Sequence, residues 1–197
     1  MTARTSHILL VFSAFLAGLV IFLGVILFMT QYQGTGGGPS AIGGPFKLVD
    51  QDGKPITDQD FRGRPFLVFF GYTHCPDICP TTLFEMSEVL RVLGKDADQV
   101  NALFVTVDPE RDTAVMMKDY LSSFDSHLRG ATGDQKAIDA VERAYRVYAK
   151  KVPADNGDYS MDHTALVYLM DKQGRFVAPF KLDRKPEAAA ADLRRYL

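Results

Sequence analysis

Pro65-Phe66-Leu67-Val68-Phe69-Phe70-Gly71-Tyr72-Thr73-His74-Cys75-Pro76-Asp77-Ile78-Cys79-Pro80 is the stretch on which the fold turns. Its first seven residues, Pro65 to Gly71, are an unbroken apolar run, the pattern of a strand buried on both faces of a sheet. A helix is expected from about Pro80 to Leu93. Leu83, Met86, Leu90 and Leu93 recur there at helical spacing, and Gly94 ends it. Both cysteines of the chain lie in the junction, four residues apart. Ligand sites of open α/β sheets collect at the carboxyl ends of strands, so chemistry is expected at this corner. Pro80 suits the first helical position and would put Cys79 near the N-cap. Free N–H groups and the helix dipole at that position favour a thiolate.

Further strands and helices alternate on either side. Phe46 to Val49 reads as a short strand before the turn Asp50-Gln51-Asp52-Gly53. Val100 to Val107 is a second buried strand. Thr113 to Phe124 is a helix capped by Asp112 or Thr113. Asp134 to Tyr148 is another, with Ile138, Val141, Tyr145 and Tyr148 on its apolar face. Thr164 to Met170 and Arg175 to Phe180 form a hairpin across Asp171-Lys172-Gln173-Gly174. Pro186 to Leu197 closes the chain as a helix with Pro near its start. The order strand–helix–strand–helix–helix–hairpin–helix predicts an α/β sandwich with a mixed sheet. It resembles a thioredoxin-like fold with a short N-terminal β extension.

The amino-terminal part is unlike the rest. Ile8 to Met29 carries no charge and is apolar except at Ser13, Gly18 and Gly24. At about 1.5 Å per residue such a helix spans roughly 33 Å, enough for a bilayer core. A cleaved signal peptide has a shorter apolar region and a small-residue cleavage site, and Phe28-Met29-Thr30-Gln31-Tyr32 makes a poor one. Arg4 precedes the span and the next basic residue is Lys47. The positive-inside rule then leaves the amino terminus in the cytoplasm. Gly34 to Phe46 is rich in Gly and Pro, as in a flexible tether. These features predict three segments: a cytoplasmic stub and transmembrane anchor over 1–30, a tether over 31–45 and a soluble domain over 46–197. They predict a single-pass protein of a bacterial inner membrane with its soluble domain in the periplasm.

Composition narrows the function. The 197 residues carry 22 basic and 24 acidic side chains, a net charge of −2, which gives no footprint for nucleic acid. Two cysteines cannot build a disulfide-rich scaffold. For C-x-x-x-C, several readings compete. A structural disulfide would close a very small loop and add little stability. Haem attachment needs C-x-x-C-H, and a peroxidase cysteine needs upstream Pro and Thr in other positions. A dithiol oxidoreductase usually spaces its cysteines C-x-x-C. A metal site needs a third ligand. His7 lies at the membrane end, His74 adjoins Cys75, and His127 lies in a polar linker. His163 stands in Tyr159-Ser160-Met161-Asp162-His163-Thr164, just before the expected strand. In a thioredoxin-like fold that loop lies against the dithiol and usually carries a cis-proline. An imidazole there permits an S₂N metal site, and a capping histidine bonded to Asp162 is the plainer alternative. Met116 and Met117 are adjacent on a helix, so they are read as packing rather than as a copper-binding pair.

Gly71 to Thr82, together with Asp162-His163-Thr164, resembles the Sco/SenC family, membrane-anchored copper proteins of cytochrome c oxidase assembly. Asp60-Phe61-Arg62-Gly63 and Val107-Asp108-Pro109-Glu110-Arg111-Asp112-Thr113 are similar to two further motifs of that family. The resemblance implies that Cys75, Cys79 and His163 are copper ligands, a set soft enough for Cu(I) and able to hold Cu(II) with one added donor. It implies a copper metallochaperone that delivers to the dinuclear copper site of cytochrome c oxidase subunit II, with another copper chaperone as donor. A thiol–disulfide reductase acting through Cys75 and Cys79 on the oxidase's copper-site cysteines, or a copper-linked redox sensor, uses the same residues. Asp162, His74, Asp108 and Asp77 are candidates for tuning the site.

Overall fold

A computed structural model describes residues 15–25, 42–154 and 157–197. Two units are distinguished, Met1–Pro39 and Ser40–Leu197. In the first, residues 15–25 form a helix, α1, with every side chain exposed. Among the described residues no helix is long and apolar enough to cross a membrane. The ends of the expected anchor, and the tether before Ile42, lie outside the described residues.

The second unit is built on a seven-stranded sheet in the order β2-β1-β5-β4-β3-β8-β9. Its strands are β1 (Lys47–Asp50), β2 (Pro55–Thr57), β3 (Phe66–Gly71), β4 (Asn101–Thr106), β5 (Leu128–Thr132), β8 (Val167–Met170) and β9 (Phe176–Pro179). Strands β3, β4 and β5 are parallel, and β8 runs antiparallel to β3. The mixed, thioredoxin-like sheet expected from the element order is therefore present. Every residue of β3 is buried, as its unbroken apolar run requires. Helices α2 (Ile78–Leu93), α3 (Ala114–Leu121), α4 (Gln135–Tyr145) and α5 (Pro186–Arg194) complete the layers, with α2 packed on α5 and α3 on β5. Pro186 takes the first turn of α5, and Thr113 rather than Asp112 caps α3 through its hydroxyl.

Three features depart from the sequence reading. Strand β5 separates the two central helices. Its Leu128-Arg129-Gly130-Ala131-Thr132 has little apolar character, because small residues suffice where Leu121 and Met117 lie against Gly130. The helix expected to reach Tyr148 stops at Tyr145, where Arg146 turns left-handed at φ 56°. After it comes a separate hairpin, β6 (Ala149–Pro153) with β7 (Tyr159–His163), in a region expected to be loop. Strand β6 is exposed but for half-buried Ala149, and β7 alternates half-buried and exposed residues, so both lack the apolar run that marks a core strand. His163 is thus the last residue of β7, and β8 begins only at Val167.

Candidate metal centre

Strand β3 ends at Gly71, and the chain turns through Tyr72–Asp77 into α2. Asp77 is the N-cap, Cys79 the second helical residue and Pro80 the third, so Pro80 is not at the first position as expected. Proline is tolerated there because first-turn amides have no intrahelical partner. The Cys79 amide is free for the same reason and donates to Cys75 Sγ at 3.4 Å. Cys79 is buried and Cys75 half exposed, and both thiols are free. The sulfur that receives the helix-terminal amide is therefore that of Cys75, the one open to solvent.

The Cys79 thiol does not behave as its place in the sequence suggests. Burial pushes its pKa up strongly, and the Tyr72 backbone N–H bonded to its sulfur only partly offsets this. Gly71 explains the tight seat: a Cβ there would stand 2.7 Å from Cys79 Sγ and 2.8 Å from the Phe104 ring. A buried neutral thiol is a poor nucleophile, but it becomes a thiolate ligand when a cation displaces its proton.

His163 supplies the third donor. Its Nε2 lies 3.6 Å from Cys79 Sγ, and the ligand atoms of Cys75, Cys79 and His163 all lie within 4.8 Å of one another. Its Nδ1 faces the Thr164 carbonyl at 3.2 Å. Donation from Nδ1–H to that carbonyl leaves the Nε2 lone pair directed at the sulfurs. Burial holds the imidazole pKa below the ordinary value, against smaller opposing effects of the Thr164 carbonyl and Asp162, so the ring is neutral and ready to ligate. With bonds of roughly 2.0–2.3 Å, three donors around one ion stand about 3.5–4 Å apart, which this cluster matches after small movements. Two sulfurs and an imidazole suit a soft monovalent ion that accepts three ligands.

The other candidates lie around this cluster. Asp162 is exposed on β7 and pairs across the hairpin with Lys150, so it is not the hydrogen-bond partner of His163. Asp77 is an exposed N-cap without a side-chain cap bond. His127 is remote from the cluster, bonded to Asp125 at 2.6 Å and Asp98 at 3.2 Å. Met117 is core, whereas Met116 is exposed, so only Met117 is packing. Asp108 is buried and bonded to Arg111 and Tyr159, not to the donors.

Asp112 was legible only as a cap and does more. Fully buried, it accepts from Thr73 N at 2.9 Å, Thr73 Oγ1 at 2.6 Å and Thr106 Oγ1 at 2.6 Å. It staples the cysteine loop to the end of β4. His74 joins this network through Thr73 Oγ1 at 3.0 Å and does not reach the donors. The density of charge in Asp108-Pro109-Glu110-Arg111-Asp112, directly after a buried strand, was the available signal.

Residues 34–197 match the family model described as SCO1/SenC. The chain belongs to the SCO1/SenC family. This Sco chain is similar to Bradyrhizobium japonicum ScoI, solved with copper bound, at 68% identity and a TM-score of 0.78, over 79% of this chain and 99% of that one. It is similar to yeast Sco1, also solved with copper bound, at 33% identity and a TM-score of 0.73, over 80% and 88% of the two chains. A SCO2-like protein of Rickettsia felis is 38% identical over 148 residues, 74% of the Sco chain described here and 72% of the relative.

Proposed function

We propose that this Sco protein is a copper metallochaperone, with Cu(I) as cargo on Cys75, Cys79 and His163. The observation that carries the reading is the convergence of three soft donors within 4.8 Å, two of them half exposed. The copper-bound forms of the Bradyrhizobium and yeast relatives support copper over zinc, which would normally want a fourth ligand. A three-donor site open on one side lets an incoming thiolate take over a ligand position, as transfer requires. The acceptor is the dinuclear copper site of cytochrome c oxidase subunit II, and the donor another copper chaperone. Cu(II) would need one further donor. The apolar run Ile8 to Met29 anchors the chain in a bacterial inner membrane. Segment 1–30 is then stub and anchor, 31–45 tether, and 46–197 the copper-binding domain in the periplasm.

The full-length chain in detergent, reduced and loaded with Cu(I), is mixed with the metal-free, reduced copper domain of subunit II. Copper is expected to pass to the acceptor, and His163→Ala to hold too little to transfer. Retention of all copper by the wild type would contradict delivery.

A second reading, thiol–disulfide reduction of the acceptor's cysteines, is favoured by one observation: Cys75 is the exposed sulfur and Cys79 lies beside it. In that reading Cys75 attacks and Cys79 resolves, and His163→Ala leaves the activity intact.

A further inference from the structure

Strand β7 alternates, with Tyr159, Met161 and His163 half buried and Ser160 and Asp162 exposed. The period of two puts the first three on one face. Each is held there from outside the hairpin. Arg111 lies with its guanidinium 3.7 Å over the Tyr159 ring and donates to the Tyr159 carbonyl at 3.1 Å. The Tyr159 hydroxyl donates to Asp108 at 2.8 Å, and Arg111 Nε donates to the same carboxylate at 2.5 Å. Met161 packs against the hydrophobic core. The Tyr72 ring meets the His163 ring edge-on at 5.8 Å and 89°, and the Arg111 guanidinium stands 5.8 Å from the centroid of the same Tyr72 ring.

Arg111 also has a feature that ion pairing alone does not explain. Its Nη2 is buried without a hydrogen-bond partner among the described residues. A buried unsatisfied N–H is costly, and the guanidinium meets aromatic faces there instead. Lysine could satisfy Asp108 without that cost but cannot span two rings and a carbonyl as a planar fork does.

We propose that Arg111 is a positioning residue for His163, acting through Tyr159 and Tyr72. The arginine fixes the start of β7 and the Tyr72 ring its end, so the imidazole is held at the sulfurs before metal arrives. The Tyr72 carbonyl accepts from the Cys75 N–H at 3.3 Å, so one residue touches both ligand-bearing elements. The inference rests on the copper reading and deepens it.

The test uses the reduced full-length chain in detergent micelles, titrated anaerobically with Cu(I) against a chelator of known affinity. Wild type, Arg111→Lys, His163→Ala and the double variant are compared, with the dithiol potential and thermal unfolding of each. Arg111→Lys is expected to weaken Cu(I) binding roughly tenfold or more, the scale of effects from groups that orient ligands. In the His163→Ala background it is expected to add nothing, because the residue it positions is gone. The dithiol potential is expected to stay constant. An equal loss in both backgrounds, or no loss in either, overturns the proposal, as does a parallel shift in potential. Should Arg111→Lys not fold, Tyr159→Phe, which removes the hydroxyl bond to Asp108, is put through the same cycle under the same criteria. The His163 imidazole resonances of the metal-free protein provide a separate readout. They are expected to shift in Arg111→Lys, and unchanged resonances overturn the proposal. If the wild type binds no Cu(I), the copper reading fails, and these resonances still decide whether Arg111 positions the ring.

Discussion

Gly71 shows how closely single atoms control this corner. The space a Cβ would need is filled by Cys79 Sγ and the Phe104 ring, both under 3.0 Å away. Gly71→Ala is expected to cost about 1–3 kcal/mol of stability through overpacking and to weaken Cu(I) binding by displacing the sulfur. Chemical denaturation and a Cu(I) competition titration check the two effects separately. Asp112 acts from the other side of the loop. Asp112→Ala strands two hydroxyls and one amide that now bond its carboxylate, so a loss of about 3 kcal/mol or more is expected by denaturant melt. Asp112→Asn keeps an acceptor for Thr73 N–H and is expected to lose less. The cysteines and His163 could be read from the sequence because their residue types have few other uses together. Asp112, Arg111 and Tyr72 could not be assigned, because their work depends on which strand lies opposite them. Cys79 departs from the sequence expectation for a related reason: its helix position favours a thiolate, but burial dominates.

The elements were legible in proportion to their burial. Strands β3 and β4 and helix α2 carry long apolar patterns and appear where those patterns place them, within a few residues. Strand β5 and the β6–β7 hairpin do not, since one uses small residues and the other is largely exposed, and both are defined by their partners. Two elements also carry titrating contacts remote from the metal centre. His127, just before β5, is held by Asp125 and then Asp98, and its pKa is raised. Glu142 in α4 is pushed up to about 7 by burial, with Asp139 adding to the effect. In both, the folded state holds its proton more tightly than the unfolded state. The stability each contributes is present at low pH and is lost as pH rises through the folded value. For Glu142 the loss runs from about 4.5, the unfolded value, up to about 7. For His127 it begins above about 6.5. The contribution of these two groups to the unfolding free energy is therefore expected to fall from pH 5 to 8, against an opposing rise from His163, whose pKa burial lowers. Glu142→Gln should flatten the lower part of that slope and His127→Gln the upper part. A slope identical in wild type and both variants would contradict these assignments.

At the scale of the whole molecule, the sheet brings together parts of the chain that lie far apart in sequence. The cysteines arrive from the carboxyl end of β3 and His163 from a hairpin 84 residues after Cys79. Oxidation of Cys75 and Cys79 to a disulfide would remove both sulfurs as thiolate donors. The Cu(I)-loaded chain is thus expected to release its copper on treatment with a disulfide oxidant, and metal analysis after desalting reads the result. Retention of copper by the oxidised protein would place the ion elsewhere. The three-donor centre itself is tested most directly by copper K-edge absorption on the Cu(I)-loaded, full-length chain, compared with His163→Ala. The expected shell is two sulfurs and one nitrogen around each copper, with the nitrogen lost in the variant. A shell of sulfur alone in the wild type, or a nitrogen that survives the loss of His163, would contradict the site of Cys75, Cys79 and His163.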